Sequence, residues 1–198
     1  MRALGLPGYR FPVNLPNLLT LIRLCLTPAA VAVLFAESLP HFAWIALGLF
    51  CLLMLTDVAD GIIARKYDLI TRFGIFLDPL ADKLLINLML FSLASLGIVP
   101  FWLAVAHFMR DAISSEFKSF AAIQRVYIAI APWEGKAKAF LQSMGIIAGL
   151  GAYAGVRPDL LTPLCLWLLV AALLVGLLGL GKLLAKHFRI LLSPDPAR

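Results

Sequence analysis

Charged side chains are scarce in this sequence. They make up 14% of its 198 residues, whereas hydrophobic residues make up 62% and the mean hydropathy is +0.96. A soluble globular domain carries roughly 25% charged residues, so this composition excludes an ordinary water-soluble fold. It favours an all-α integral membrane protein whose helices pack against one another in lipid. The length suits one domain, which we expect to cover residues 1–198.

Cysteine and histidine occur only three times each. Cys25, Cys51 and Cys165 all lie in apolar stretches, which excludes a disulfide framework and favours a role as small buried residues. His107 and His187 have no pattern of carboxylates or cysteines around them, so we predict a metal at neither. Residues 1–16 lack the apolar region and cleavage site of a signal peptide. We expect them to form a short basic segment on the membrane surface.

Long apolar stretches predict six transmembrane helices. We place them at about 17–36, 43–66, 73–96, 99–118, 135–154 and 161–180. An even number of spans puts both chain ends on one side, and of the 17 lysines and arginines only Arg157 then lies on the other side. The positive-inside rule makes the basic side cytoplasmic. Pro79 is tolerable in a first helical turn, which predicts that the third helix starts close to Asp78.

The few carboxylates concentrate in one stretch with the spacing D-x2-D-G-x2-A-R-x8-G-x3-D-x3-D. Its aspartates are Asp57, Asp60, Asp78 and Asp82. On helices, the first two share a face, and the last two stack on a face of the next helix. The short connection between these helices predicts antiparallel neighbours, which would bring the four carboxylates to one point.

Clustered carboxylates require neutralising cations. A set of oxygen ligands suits hard cations such as Mg2+ or Mn2+ rather than Zn2+, and four carboxylates can hold two ions. Gly61 and Ala64 remove bulk beside Asp60, and Arg65 can grip phosphate oxygens. The alternative is a set of structural ion pairs at helix ends. Against it, carboxylates outnumber bases on the relevant faces.

Several basic residues lie within or beside the apolar spans. Arg23 is a functional candidate because it is embedded in a span, or it reaches to the membrane surface. Arg110 and Asp111 follow too few apolar residues to have crossed a bilayer, so they face a polar cavity or form an ion pair. Lys136 and Lys138 open the fifth span against its helix dipole, which predicts an anion nearby or contact with lipid headgroups.

These motifs carry a resemblance. The aspartate spacing resembles the signature of the CDP-alcohol phosphotransferase (phosphatidyltransferase) family of integral membrane enzymes. Three segments resemble its phosphatidylglycerophosphate synthase branch: PNLLTLIRLCLTP at 16–28, TRFGIFLDPLADKLL at 71–85, and Gly135-Lys136-x-Lys138-x3-Gln142. That branch has glutamate where this chain has Asp111. The resemblance covers about residues 14–185.

The resemblance implies a fold and an activity. It implies six transmembrane helices and transfer of a phosphatidyl group from CDP-diacylglycerol to an alcohol, with release of CMP. For the branch, the alcohol is sn-glycerol 3-phosphate. The expected partners are these two substrates and membrane lipids, without nucleic acid, in a homodimer. The expected location is a bacterial inner membrane, with the active site facing the cytoplasm.

The resemblance also implies roles for particular residues. Two divalent ions, Mg2+ or Mn2+, would be held by Asp57, Asp60, Asp78 and Asp82. Asp82 matches the catalytic base for the acceptor hydroxyl. The nucleotide-binding positions correspond to Gly61, Ala64, Arg65 and Gly74. The cations that we expect to bind the acceptor phosphate are Arg110, Lys136 and Lys138.

Two other functions remain as alternatives. A cardiolipin synthase of the same family would use phosphatidylglycerol as its acceptor. A cation or proton transporter would also carry intramembrane carboxylates, but it needs access from both sides to a site near the midplane. The carboxylates here lie toward one leaflet, which argues against transport.

Overall fold

The computed structural model describes residues 15–66, 71–123 and 132–192, and its regular structure over these ranges is entirely α-helical. Within the helices, the side chains of residues 15–16, 60, 63–65, 72–73, 75, 122–123, 132 and 186–192 are also outside the described part. The described helices are α1 (Leu15–Leu34), α2 (Phe42–Lys66), α3 (Arg72–Ser95), α4 (Phe101–Ile123), α5 (Pro132–Tyr153) and α6 (Pro158–Leu192). This confirms the predicted all-α class.

The helices extend beyond several predicted spans. We expected a loop at 119–134, but α4 continues to Ile123 and α5 already begins at Pro132. Ala121 is fully buried, so tertiary packing holds the end of α4 in helical form. Residues 124–131 lie outside the described residues. Likewise α6 continues to Leu192, well past the predicted end of its span.

The predicted start of α3 near Asp78 is wrong. The helix begins at Arg72, and Pro79 lies inside it. Thr71 is the N-cap: its backbone is extended and its side-chain oxygen accepts a hydrogen bond from the Gly74 amide at 3.0 Å. This cap fixes the start one and a half turns or more before the proline, whose ring removes one amide donor from the helix without ending it.

The outer surface of the described helices is apolar. Trp167 is 73% exposed, Phe76 69% and Leu55 67%. Among the described residues, three helices have windows long and apolar enough to cross a bilayer: Asn17–Leu34, Phe42–Ala59 and Pro158–Ala185. In the other three helices, no such window is found among the described residues. An all-helical chain with apolar side chains facing outward is a membrane protein.

Glycines allow close helix packing around α5. A Cβ atom on Gly145 would lie 2.9 Å from the Leu169 side chain of α6, and one on Gly149 would lie 2.8 Å from Leu93 of α3. Small residues spaced four apart are typical of close packing between membrane helices. Gly155, with a φ of 87°, ends α5 in a tight turn that sends α6 back antiparallel to it.

Helix α1 lies against both α2 and α3. Helix α3 also packs on α4 and α5, while α6 packs on α4 and α5. A core of buried apolar residues joins these elements; it includes Phe50, Leu85, Met89, Leu90, Leu93, Ile146 and Leu169. The start of α1, the end of α2 and the start of α3 therefore meet at one end of the bundle, beside the second half of α4 and the start of α5.

Candidate active site

Helix α1 carries a buried polar face. Asn17, Thr20, Arg23 and Thr27 are each at most 4% exposed, in a helix that is otherwise apolar. Their spacing of three, three and four residues places them along one side of the helix. Buried polar side chains require hydrogen-bond partners. Three of these four side chains have their partners within the aspartate-rich stretch at 57–82.

The polar face of α1 holds two of the motif aspartates. The Thr20 hydroxyl donates to Oδ1 of Asp78 at 2.7 Å. The guanidinium of Arg23, only 1% exposed, forms an ion pair and hydrogen bond with Asp57. Arg23 is therefore buried inside the bundle, which excludes the alternative that it reaches out to the membrane surface. Its functional role stays a prediction. We had predicted that α2 and α3 meet directly; instead α1 lies against both and connects their aspartates.

The same face of α1 fixes the start of α3. Asn17 Nδ2 donates to the hydroxyl oxygen of Thr71 at 2.9 Å, and Thr71 in turn caps the helix at Gly74. A Cβ atom on Gly74 would lie 2.6 Å from Asn17 Oδ1 and 3.3 Å from Thr71 Oγ1. The structure therefore explains glycine at position 74 by close packing between α1 and α3.

Gly74→Ala is expected to lower the stability of the protein by about 1 kcal/mol, because the added methyl group must displace the Asn17 side chain or the Thr71 cap. The matched control is Gly48→Ala in α2, where an added Cβ meets nothing within 4 Å. That change should raise stability by about 0.5–1 kcal/mol through helix propensity. Thermal unfolding in mild detergent measures both; shifts of the same sign would contradict the packing argument.

Asp82 lies where acidic and basic groups meet. It interacts electrostatically with Asp57 and Arg23 on one side and with Lys138 and Asp111 on the other. Of the four predicted carboxylates, the structure thus brings Asp57 and Asp82 into one electrostatic neighbourhood, while Asp78 is linked to it through α1. The side chains of Asp60, Ala64 and Arg65 lie outside the described part of the chain.

A basic cluster surrounds Asp111, which is 7% exposed. Lys138 Nζ of α5 lies 2.6 Å from Asp111 Oδ2, and Arg110 Nη1 lies 2.9 Å from Asp111 Oδ1. Arg110 Nε donates to the Gly176 carbonyl of α6 at 2.9 Å. A side chain at position 176 would collide with the guanidinium group, because a Cβ atom there would lie 2.9 Å from Arg110 Nε. The predicted ion pair of Arg110 is confirmed. Two cations share one carboxylate, so this cluster has a surplus positive charge.

Lys136, the third residue predicted to bind the acceptor phosphate, is exposed and lies on a different side of α5 from Lys138.

The aspartate-rich stretch also contains a lysine near this site. Lys83, directly after Asp82, contacts the Ser115 hydroxyl of α4. Lys83 was missed in the sequence because it does not belong to the aspartate spacing. It adds positive charge between α3 and α4.

An ion pair outside the apolar part of the bundle ties α5 to α6. Lys182 Nζ lies 2.7 Å from Glu134 Oε1. The hydrogen bond from Lys182 holds the pKa of the Glu134 carboxyl below its usual range. The stability that this pair contributes is therefore present above the unfolded-state pKa of Glu134 and is lost as the pH falls through the lowered value.

The chemistry of the donor set fits a divalent cation. Asp57, Asp78 and Asp82 offer only carboxylate oxygens, which suit Mg2+ or Mn2+. Among the described side chains, no three possible ligands of the histidine, cysteine, aspartate or glutamate type converge on one point. The side chain of Asp60, the fourth predicted ligand, is not among the described side chains. Hydrogen bonds from α1 orient two of the carboxylates, as outer-shell partners do in metal sites.

Sequence reasoning missed the contribution of α1 to this site. Asn17 and Thr20 were read only as part of a resembling segment, and Gly176 was not singled out. A signal was present: polar residues recur every three or four positions along α1 in a chain with few polar residues. Periodicity of this kind predicts one polar face, although it does not say which helix the face contacts.

Comparison with known proteins finds one family and several named relatives. The profile of the CDP-alcohol phosphatidyltransferase family matches residues 13–178. A protein of Mycobacterium tuberculosis (strain CDC 1551 / Oshkosh) named "Probable phosphatidylglycerophosphate synthase" is 39% identical over 135 residues, which are 67% of this chain and 64% of that protein. A Rickettsia bellii protein named "CDP-diacylglycerol--glycerol-3-phosphate 3-phosphatidyltransferase" is 34% identical over 183 residues, which are 88% of this chain and 97% of that protein. A Bacillus subtilis protein of the same name is 38% identical over 109 residues, 50% and 56% of the two chains.

Proposed function

This chain belongs to the CDP-alcohol phosphatidyltransferase family, and on that premise we propose that it transfers the phosphatidyl group of CDP-diacylglycerol to sn-glycerol 3-phosphate. The products are phosphatidylglycerophosphate and CMP. The chain is thus an enzyme of phospholipid biosynthesis. The Rickettsia relative, matched over nearly its whole length, carries a name that states this reaction.

One observation carries the proposal: a cluster with surplus positive charge borders the carboxylates. Lys138 interacts electrostatically with Asp82 and at the same time pairs with Asp111. An acceptor whose phosphate lies on Arg110 and Lys138 would have its hydroxyl beside Asp82. A neutral alcohol would not need these cations, so their position supports a phosphorylated acceptor.

The reaction exchanges one bond at phosphorus for another. The acceptor hydroxyl oxygen forms a bond to the phosphorus that carries the diacylglycerol, and the bond from that phosphorus to the bridging oxygen of CMP breaks. The hydroxyl proton passes to the Asp82 carboxylate. CMP leaves with the bonding electron pair, toward water, and the lipid product stays in the leaflet.

We assign the other polar residues to binding and orientation. Divalent ions held by Asp57, Asp60, Asp78 and Asp82 would neutralise the diphosphate and the charge that develops on CMP. Thr20 and Arg23 keep Asp78 and Asp57 in place. The nucleotide would lie beside Gly61 and Ala64, where small side chains leave room, and beside Arg65, which offers a bidentate contact. Gly74 stays a predicted nucleotide-binding position, although Asn17 and Thr71 fill the space that a side chain would take there. Lys136 remains a predicted phosphate ligand at the water-exposed edge.

Helix lengths support a six-span arrangement. Even α1, the shortest described helix with 20 residues, is about 30 Å long, which matches the apolar thickness of a bilayer. Asp111 of α4 and Lys138 of α5 are buried at one end of the bundle, and Arg157 lies at the other end. The site then faces the cytoplasm of a bacterial inner membrane.

Labelling of cysteines introduced at Arg157 and Lys136 with a membrane-impermeant reagent tests this orientation. The homodimer stays a prediction of the family resemblance.

The acceptor assay tests the function. Purified protein in lipid nanodiscs, supplied with CDP-diacylglycerol and Mg2+, is expected to release CMP with sn-glycerol 3-phosphate and not with phosphatidylglycerol. CMP release and the lipid product are measured together, so that hydrolysis of the donor is not mistaken for transfer. Activity with phosphatidylglycerol alone would mean that the chain is a cardiolipin synthase, whose acceptor carries a phosphodiester in place of the phosphate monoester of glycerol 3-phosphate.

A further inference from the structure

Two polar side chains lie deeper in the bundle than the Asp111–Lys138 ion pair. His107 of α4 is 0% exposed and Gln142 of α5 is 1% exposed. His107 precedes Asp111 by four residues, and Gln142 follows Lys138 by four. Because residues four apart stack on one helix face, each lies one turn beyond a member of the ion pair. The reaction proposed above uses neither of them.

Each of these side chains has a buried nitrogen atom without a hydrogen-bond partner among the described residues, namely His107 Nδ1 and Gln142 Nε2. The other ring nitrogen of His107, Nε2, lies 3.0 Å from the Leu169 carbonyl of α6. A carbonyl can only accept, so Nε2 carries the proton and Nδ1 of the neutral ring presents a lone pair. The pair thus offers one acceptor and one donor.

Contacts with α6 relate the depths of the two side chains in the bundle. The Leu169 carbonyl meets His107, and the Leu169 side chain lies where a Cβ of Gly145 would be, at 2.9 Å. Gly145 is three residues from Gln142, about 4.5 Å along the helix axis. His107 also interacts electrostatically with Lys138 and Asp111. Both side chains therefore lie in the layer beneath the ion pair, within about one helical turn of each other in depth.

Helix α3 adds a third group to this layer. Asn87 donates through Nδ2 to the Lys83 carbonyl at 2.8 Å, while its Oδ1 is buried and without a partner in the described structure. Leu93 of α3 lies against Gly149 of α5, and Asp82 interacts with Lys138. The same offset between the two helices puts Asn87 level with Ser143, the neighbour of Gln142 in the chain. Asn87 lies one turn from Lys83, on the side of α3 that contacts Ser115 of α4.

We propose that His107 and Gln142 bind the non-reacting hydroxyl group of a polyol phosphate acceptor. A hydroxyl accepts one hydrogen bond from Gln142 Nε2 and donates one to His107 Nδ1, which matches these two atoms in sign and number, and a water molecule can donate to Asn87 Oδ1. Water has the same chemistry and would fill the layer when the acceptor is absent. The proposal rests on the proposed function, in which the acceptor phosphate lies on Arg110 and Lys138, one turn away.

The experiment compares two acceptors that differ only in this hydroxyl group: sn-glycerol 3-phosphate and 3-hydroxypropyl phosphate, which lacks the hydroxyl at the central carbon. The full chain in nanodiscs should show a kcat/KM about tenfold higher for glycerol 3-phosphate, as one neutral hydrogen bond in a buried site provides. In Gln142→Leu and in His107→Phe this preference should fall to about one, through loss of rate with glycerol 3-phosphate alone. The rate with 3-hydroxypropyl phosphate should stay at the wild-type level, which also shows that each variant is folded.

Ser143→Ala is the matched control. Ser143 lies next to Gln142 and is 7% exposed, but its hydroxyl is already bonded to the Ala139 carbonyl at 2.9 Å. This variant should keep the wild-type preference. Equal kcat/KM for both acceptors in the wild-type protein would overturn the proposal without any variant. A preference that survives in Gln142→Leu, together with a raised unfolding temperature, would show that the layer holds water only and would also overturn it.

Failure of the proposed function gives a different pattern. If neither phosphorylated acceptor reacts and phosphatidylglycerol does, the same comparison is made between phosphatidylglycerol and phosphatidyl-1,3-propanediol, whose headgroup lacks the same hydroxyl. A preference for phosphatidylglycerol that Gln142→Leu removes would support the hydroxyl site with a lipid acceptor. Equal rates with the two lipids would overturn it.

Discussion

Asp78→Asn is expected to lower the turnover number by about a thousandfold or more, because a metal ligand contributes several kcal/mol of transition-state stabilisation and each 1.4 kcal/mol is tenfold in rate. The protein should still insert and fold, since an asparagine oxygen can still accept the hydrogen bond that the Thr20 hydroxyl now donates to Asp78. We expect the same loss for Asp57→Asn and Asp60→Asn. Turnover is measured at saturating CDP-diacylglycerol and ordinary Mg2+ concentration.

Glu37→Gln is the control for this prediction, since Glu37 is an exposed carboxylate just beyond the far end of α1. It should leave turnover unchanged. Removal of divalent ions with EDTA should stop the wild-type reaction, and added Mg2+ or Mn2+ should restore it. Full activity in chelator would exclude a metal site, and near-normal turnover of any one aspartate variant would show that this residue is not an essential ligand.

Arg110→Gln is expected to raise the KM for sn-glycerol 3-phosphate tenfold to a hundredfold, since a charge-assisted hydrogen bond contributes about 1.5–3 kcal/mol. Two cations now share the single charge of Asp111, and the surplus charge is what attracts an acceptor phosphate. Without Arg110 the surplus disappears, whereas Asp111 keeps its pair with Lys138. The buried carboxylate therefore retains a partner and the fold should persist.

Kinetics with each substrate varied in turn decide the role of Arg110. The KM for CDP-diacylglycerol should change much less than that for glycerol 3-phosphate. Lys136→Gln should act in the same direction if Lys136 also binds the phosphate. Lys182→Gln is the control, because Lys182 is 70% exposed and pairs with Glu134 rather than with the cluster. Equal effects of Arg110→Gln on both substrates would assign this cation to the shared site or to the fold.

The sequence alone sufficed for the helices and for the family. Six apolar stretches predicted six helices close to their observed positions, because in lipid every backbone amide must bond within its own helix. The spacing around Asp57 and Asp82 indicated the family, which the comparison confirms, while the oxygen-only metal site that it also indicates stays a prediction. Both conclusions depend on residues near one another in the chain.

The approach of one helix to another was decided only by the tertiary structure. Helix periodicity placed Thr20 and Arg23 on one face of α1, but nothing in the spacing said that this face meets Asp78 and Asp57. Arg110 likewise finds its second partner in Gly176, 66 residues along the chain. Such pairs form because close packing around glycines sets the distance and register between helices. Hydrogen bonds reach only about 3 Å, so that register determines which polar groups meet.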